Sequence, residues 1–302
     1  MFNSNRASAN SIINKVMSNA NGIGQSKSLL RERSDTAGEN GHKVSDKAHS
    51  IKEIQNLRTV TTQYVNYIKE NYEGKTASNI NSDSAKSFLE HKAQEVKGST
   101  LNTYVSTLSK VADNLSKDRI GTLNREQIKE IKQELKYNYN LSKEHNNRAY
   151  SNVEAIKNEM QHSTMYLSTQ LQAETGLRAS DAINSEKWTI NNDNTMTISG
   201  SKGGLTYTTA PLNNNLVSQV QEAIKNGYKA NYEEYREALK QAILSTNQAY
   251  NGTHGLRYSF AQSRIEELKN NGYTQDEARG QTSLELGHSR LEITNHYTQF
   301  NS

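Results

Sequence analysis

Leu57, Val60, Tyr64, Tyr67 and Ile68 recur on one face of a helical period and predict a helix beginning near Ser50. A second run, Ser82 to Lys97, aligns Ala85, Phe88, Leu89 and Ala93. A third, Gly98 to Leu115, aligns Leu101, Tyr104, Val105, Leu108 and Val111. A fourth, Arg125 to Tyr137, is strongly charged. Together they predict a helical domain over residues 48–139. Ahead of it, residues 1–47 are rich in Asn, Ser, Gly and charge. Ile12, Ile13 and Val16 suggest one short amphipathic helix there, while Arg31 to Lys47 has no periodicity and reads as disordered. The whole segment is expected to be flexible.

Residues 140–151 are polar and aperiodic and predict a linker. Beyond it, over 152–302, the pattern changes. Helices are expected at Val153 to Met160 and Met165 to Thr175, the latter ending at Gly176. Another starts at Ala179 and runs to Ser185. Thr195 to Ser199 and Leu205 to Thr209 alternate like strands, joined by the Gly-rich turn Gly200 to Gly204 with Lys202 at its tip. Asn213 to Lys225 and Tyr228 to Tyr250 are again helical, the second with Tyr232, Tyr235, Leu239, Ile243 and Leu244 inward. Asn251 and Gly252 hand over to a helix carrying His254. Thr274 and Glu277 form a capping-box pattern for a helix that stops near Gly287, and a last helix spans Leu291 to Phe300. The expected fold is mainly α with a small β-sheet.

At 302 residues the chain has room for two domains. A net charge of +4 permits a nucleic-acid partner without requiring one. The absence of cysteine excludes disulfides, thiolate metal sites and cysteine nucleophiles. The His residues show no HExxH spacing and there is no cysteine, so a zinc site is not expected. No apolar run approaches membrane-spanning length, which predicts a cytoplasmic protein with no membrane partner.

The candidate chemistry lies near the end of the chain. His254 and Arg257, three positions apart, share a helical face and can address one target. Arginine presents a permanently charged fork suited to phosphate, and imidazole can donate a hydrogen bond or carry a proton. With the Tyr297 hydroxyl as nucleophile, these groups suffice for phosphoryl transfer through a covalent intermediate.

The stretches THGLRYSFAQ (Thr253 to Gln262) and ELGHSRLEITNHYTQF (Glu285 to Phe300) resemble the carboxy-terminal signature of the tyrosine recombinase, or phage integrase, family. Its elements are a His-x-x-Arg pair, a Leu-Gly-His turn and then a tyrosine. AETGLRASDA (Ala173 to Ala182) is similar to the family's first arginine box, with Arg178 and Asp181. ISGSKGGLTYTTAPL (Ile198 to Leu212) is similar to its lysine hairpin, with Lys202 in the turn. The resemblance covers residues from about Tyr150 to the end, with a weaker echo before it. It implies a helical core-binding (SAM-like) domain followed by a mixed α+β catalytic domain, the two forming a clamp around DNA.

The implied activity is site-specific recombination of double-stranded DNA by a homotetramer assembled on the DNA, at the nucleoid. The strand is cleaved and rejoined through a 3′-phosphotyrosine without metal or ATP. The resemblance makes Tyr297 the nucleophile and Arg178 and Arg257 the clamps on the scissile phosphate. Lys202 protonates the 5′-oxygen leaving group, His254 donates to the phosphate and helps take the tyrosine proton, and His288 bonds a phosphate oxygen. Asp181 holds an arginine or the His254 helix by a charged hydrogen bond. In the helical domain Ser99, expected as an N-cap, with Thr100, Asn102 and Thr103 on the same first turn, suits contacts to DNA. Two alternatives share parts of this pattern: a type IB topoisomerase-like enzyme acting on one duplex, and a DNA-binding relative without catalysis.

Overall fold

The computed structural model describes residues 8–32, 43–139, 146–288, 294 and 297. Contacts divide the chain into two units, Met1–Glu144 and His145–Ser302.

The first unit contains α1 (Ala9–Ala20), α2 (Lys27–Glu32), α3 (Ile51–Asn71), α4 (Ser82–Glu95), α5 (Gly98–Lys117) and α6 (Arg125–Asn138). Short polar side chains fix where three of them start. Ser50 Oγ accepts from Glu53 N ahead of α3, and Asn81 and Asn124 form capping boxes with Ser84 and Gln127. The apolar faces meet around Tyr64, Phe88, Leu101 and Leu108.

The expected flexibility of residues 1–47 does not extend to α1. Ile12, Val16 and Ala20 are fully buried against α3 and α5. One apolar residue per helical turn is enough to hold a short helix when a groove receives it. Residues 43–48 are pinned as well: Ala48 N donates to Ala20 O (2.7 Å) and Asn114 Nδ2 to Asp46 O (2.9 Å). Arg31 and Glu32, the first residues of the stretch expected to be disordered, end α2, and its positions 33–42 lie outside the described residues.

Ser99 is not the cap of α5. Lys97 holds that position without a side-chain bond, and Ser99 sits inside the first turn, where its carbonyl accepts from Thr103 Oγ1. Ser99, Thr100 and Thr103 are exposed and Asn102 is half-buried.

The second unit contains α7 (Val153–Met160), α8 (Tyr166–Thr175), α9 (Ala179–Ala182), β1 (Trp188–Ile190), β2 (Met196–Ile198), β3 (Tyr207–Thr208), α10 (Asn214–Lys225), α11 (Tyr232–Ser245), α12 (His254–Asn270) and α13 (Gln275–Glu285). The strands form an antiparallel sheet in the order β1-β2-β3, with Trp188 opposite Ile198 and Ile198 opposite Tyr207. The alternation in the sequence marked only the second and third strands. β1 is anchored instead by Trp188, whose Nε1 donates to Asp181 O at 2.7 Å.

α11 is shorter than expected because Asn231 caps it, accepting from Glu233 N and Glu234 N. Tyr232 and Leu244, expected to face inward, are 42% and 46% exposed. α12 is buried on several sides through Leu256, Phe260, Ala261, Ile265 and Leu268, and packs on α8 and α13. Of the last expected helix, Thr294 and Tyr297 are described and both are helical; its other residues lie outside the described set.

The second half of the expected linker belongs to this unit. Tyr150 is 5% exposed, its amide donates to Ser259 Oγ (2.8 Å) and its hydroxyl to Gly252 O (2.9 Å). A Cβ on Gly255 would lie 2.3 Å from the Tyr150 ring. Glycine in the first turn of α12 is what lets the incoming chain cross it.

Candidate active site

α8 ends at Gly176, whose φ of +64° is left-handed. A side chain there would meet Phe260 at 2.5 Å and Leu286 at 2.6 Å. The turn brings the Gly176 carbonyl to the guanidinium of Arg257 and sends Arg178 out at the start of α9. Gly176→Ala is therefore expected to lower stability by ~1–2 kcal/mol for the backbone and ~1–3 kcal/mol for overpacking. Urea unfolding checks this, and an unchanged midpoint would contradict it.

Arg257 is fully buried. Its Nη1 donates to Gly176 O (2.6 Å) and its Nη2 to Leu286 O (2.6 Å). Nη2 also reaches His288 Nε2 (2.9 Å), and Nε reaches the Tyr297 hydroxyl (3.3 Å). Arginine has only donors, so His288 Nε2 accepts. The neutral ring then carries its proton on Nδ1 and donates to Thr294 Oγ1 at 3.2 Å.

Tyr297 is 6% exposed and lies among aromatic rings. His288 stacks on it with ring centres 5.5 Å apart and an interplanar angle of 16°. Tyr258 is 4.5 Å away and His254 6.4 Å. Gln262 Nε2 donates to the Tyr297 carbonyl at 2.8 Å and so ties its backbone to α12.

Cations dominate this pocket. Among the described residues no carboxylate pairs with Arg257. Arg178 is half-buried, and burial together with the charge of Arg257 depresses its pKa. His254 is pushed down to about 4, first by burial and then by Arg257, Arg148, Arg178 and Lys202. The first turn of α12 adds the positive end of a helix dipole. Asp181, the buried carboxylate near Arg178, is already paired with Lys187 at 2.7 Å. Two guanidinium groups close enough for one to depress the pKa of the other, with no carboxylate paired to Arg257 among the described residues, make a site for an anion.

The low pKa of His254 has a direct consequence. The folded state disfavours the imidazolium, so protonating this ring opposes folding, and its contribution is lost as the pH falls from about 6.5 towards about 4. In the DNA-free protein the ring is expected to stay neutral at pH 5.5. An NMR titration inflecting near the ordinary histidine value would contradict this.

The fold of the chain is similar to that of solved recombinase structures. A lambda integrase dimer bound to a COC′ core site matches with a TM-score of 0.65 and 15% identity, over 99% of this chain and 80% of that one. XerH site-specific recombinase bound to palindromic difH substrate gives 0.64 and 13%, over 97% and 94%. The Tn1549 transposon integrase in complex with circular intermediate DNA gives 0.54 and 14%, over 95% and 94%. The chain has the tyrosine-recombinase fold. No protein-family model matches it, and no curated protein matches it in sequence.

In this recombinase fold Arg178, His254, Arg257, His288 and Tyr297 gather around one pocket, although up to a hundred and more positions separate them in the chain. Lys202 is exposed in its turn, near enough for its charge to bear on His254. Asp181 touches neither arginine nor α12 directly. Ser201 stands between: Arg178 Nη1 donates to Ser201 Oγ (3.2 Å), which donates to Asp181 Oδ2 (2.5 Å). His288 supports Arg257, where sequence reasoning gave it a contact to phosphate.

Sequence reasoning passed over three residues of this pocket. Ser201 looks like any serine of a Gly-rich turn. Tyr207 on β3 is buried beside Arg257, signalled only by its alternation. Arg148 lay in the expected linker, yet its guanidinium lies 5.8 Å from the Tyr258 ring centre and donates to Asn251 O.

Proposed function

We infer that this chain is a site-specific DNA recombinase that cleaves and rejoins strands through a 3′-phosphotyrosine at Tyr297. The observation that carries the reading is the buried Arg257, bonded to the Tyr297 hydroxyl, close enough to depress the pKa of Arg178, and paired with no carboxylate among the described residues. A phosphodiester supplies the missing negative charge, and the phenol is already beside it.

The reaction follows from this geometry. The Tyr297 oxygen attacks phosphorus, and the P–O5′ bond breaks. Arg178 and Arg257 hold the non-bridging oxygens, where charge builds in the transition state; a single donor of this kind is worth ~2.7–4 kcal/mol. His254, neutral at working pH, accepts the phenolic proton. Lys202 protonates the departing 5′-oxygen, a step worth ~10²–10⁴-fold. His288 fixes the tilt of Arg257, and Asp181 braces Arg178 through Ser201. A 5′-hydroxyl then reverses the step on the same or a partner strand, so bond energy is conserved without ATP or metal.

The first unit contributes affinity. Ser99, Thr100, Asn102 and Thr103 on the opening turn of α5 contact the DNA backbone or base edges. The chain works as a tetramer built on its DNA site at the nucleoid. Support comes from fold relatives solved on DNA, among them a lambda integrase tetramer bound to a Holliday junction. No described helix is long and apolar enough to cross a membrane.

The test is covalent capture. A nicked duplex carrying the recombination site, which loses its 5′-fragment after cleavage, should accumulate protein joined to a DNA 3′-end. Absence of any adduct on flanking DNA from the chain's own locus would overturn the reading.

A further inference from the structure

Within the turn at 200–204, Ser201 is the one buried residue, 3% exposed, while Gly200, Lys202, Gly203 and Gly204 face solvent. Gly200, Gly203 and Gly204 all have positive φ, so the turn has little stiffness of its own. Ser201 closes it at the root: its amide donates to Leu205 O (2.9 Å), and its carbonyl accepts from Gly204 N (2.8 Å). Its hydroxyl leaves the turn altogether. It donates to Asp181 Oδ2 (2.5 Å) and accepts from Arg178 Nη1 (3.2 Å).

Asp181 is rigid in turn. It is fully buried, its other oxygen accepts from Lys187 Nζ (2.7 Å), and its carbonyl accepts from Trp188 Nε1 (2.7 Å). Hydrogen bonds to a buried carboxylate are among the strong ones, and leaving such a group unpaired is costly. The hydroxyl thus joins a flexible turn to a fixed point.

We propose that Ser201 is a positioning residue that locks the turn carrying Lys202 to the Arg178 end of the pocket, so that the leaving-group acid and the phosphate clamp are held as one unit. This rests on the reading of Lys202 as the proton donor. Ser201 touches no reacting atom. Its effect is on where the Lys202 ammonium spends its time, and a displacement of about 1 Å at a reacting group can cost ~10²-fold in rate.

The experiment compares full-length Ser201→Ala and Ser201→Thr with the unsubstituted chain in single-turnover cleavage at saturating DNA. Two duplexes are used, one ordinary and one with sulfur replacing the bridging 5′-oxygen. A thiolate leaves without protonation, since a thiol has a pKa of about 8.5. Ser201→Ala should cleave the ordinary duplex ~10–100-fold more slowly while binding it within about threefold of the unsubstituted chain. The sulfur duplex should recover most of that loss, as it should for Lys202→Ala. Ser201→Thr, which keeps the hydroxyl, should stay within about threefold.

A loss in Ser201→Ala that sulfur leaves untouched would overturn the proposal. So would equal losses in the alanine and threonine variants, or an alanine variant as fast as the unsubstituted chain. Should the alanine variant not fold, Ser201→Val against the near-isosteric Ser201→Thr makes the same comparison. If the unsubstituted chain forms no adduct on either duplex, the recombinase reading itself fails, which is a separate outcome.

Discussion

Tyr297→Phe is expected to abolish covalent capture of DNA while leaving the duplex bound and the fold intact. The substitution removes one oxygen. The ring keeps its stack on His288 and its contact with Tyr258, so the packing around it survives. The lost bond from Arg257 Nε is long, 3.3 Å, and such a bond is worth ~0.5–1.5 kcal/mol to stability. Cleavage is affected on another scale, because the attacking oxygen itself is gone; the Tyr207 hydroxyl also lies beside Arg257 but is buried on β3. Water attack lacks the covalent route, and acceleration by enzymes commonly exceeds ~10⁶-fold. Tyr258 is the neighbour to control for, since its ring is 4.5 Å away. Gel-shifted adducts from the nicked duplex read the result. An adduct that persists in Tyr297→Phe and disappears in Tyr258→Phe would move the nucleophile.

Arg257→Ala is the second large effect, and it should appear in two measurements. Cleavage should fall by ~10²–10³-fold for the lost transition-state donor alone. Stability should fall as well, before DNA is added. The guanidinium satisfies the buried carbonyls of Gly176 and Leu286, and each orphaned acceptor costs ~1–3 kcal/mol. Relief of the charge that presses on Arg178 offsets part of this, and the net direction remains a loss. Thermal unfolding without DNA and filter binding with it separate the two. A variant as stable as the unsubstituted chain that no longer binds DNA would make Arg257 an affinity residue and remove it from the structural hub.

The two substitutions differ because the two side chains are held differently. Tyr297 is placed by ring packing and by Gln262 on its carbonyl, so its hydroxyl is separable from the fold. Arg257 is bonded to the backbone of segments on either side of the pocket, so charge and architecture are removed together.

Much of the fold was legible in the residues themselves. The helices of both units follow from apolar spacing and from short polar caps such as Ser50, Asn81 and Thr274, which act within a few residues. The Gly-rich hairpin and the stop at Gly176 were legible for the same local reason. Arg178, His254, Arg257, His288 and Tyr297 could be named from their local motifs. Where the reading fell short, distant partners decided. α1 is held by a groove formed by α3 and α5, β1 by an indole reaching Asp181, and the end of the linker by Ser259 and Gly252.

Sequence alone therefore determined most of the helices, the second and third strands, their order and the residue types able to do phosphoryl chemistry, because propensity, period and capping are short-range. Only the tertiary structure decided that His288 accepts from Arg257, that Ser201 mediates between Arg178 and Asp181, and that Arg257 is buried with no carboxylate partner among the described residues. Those are properties of contacts between residues far apart in the chain, fixed by packing and by the cost of leaving buried polar groups unpaired.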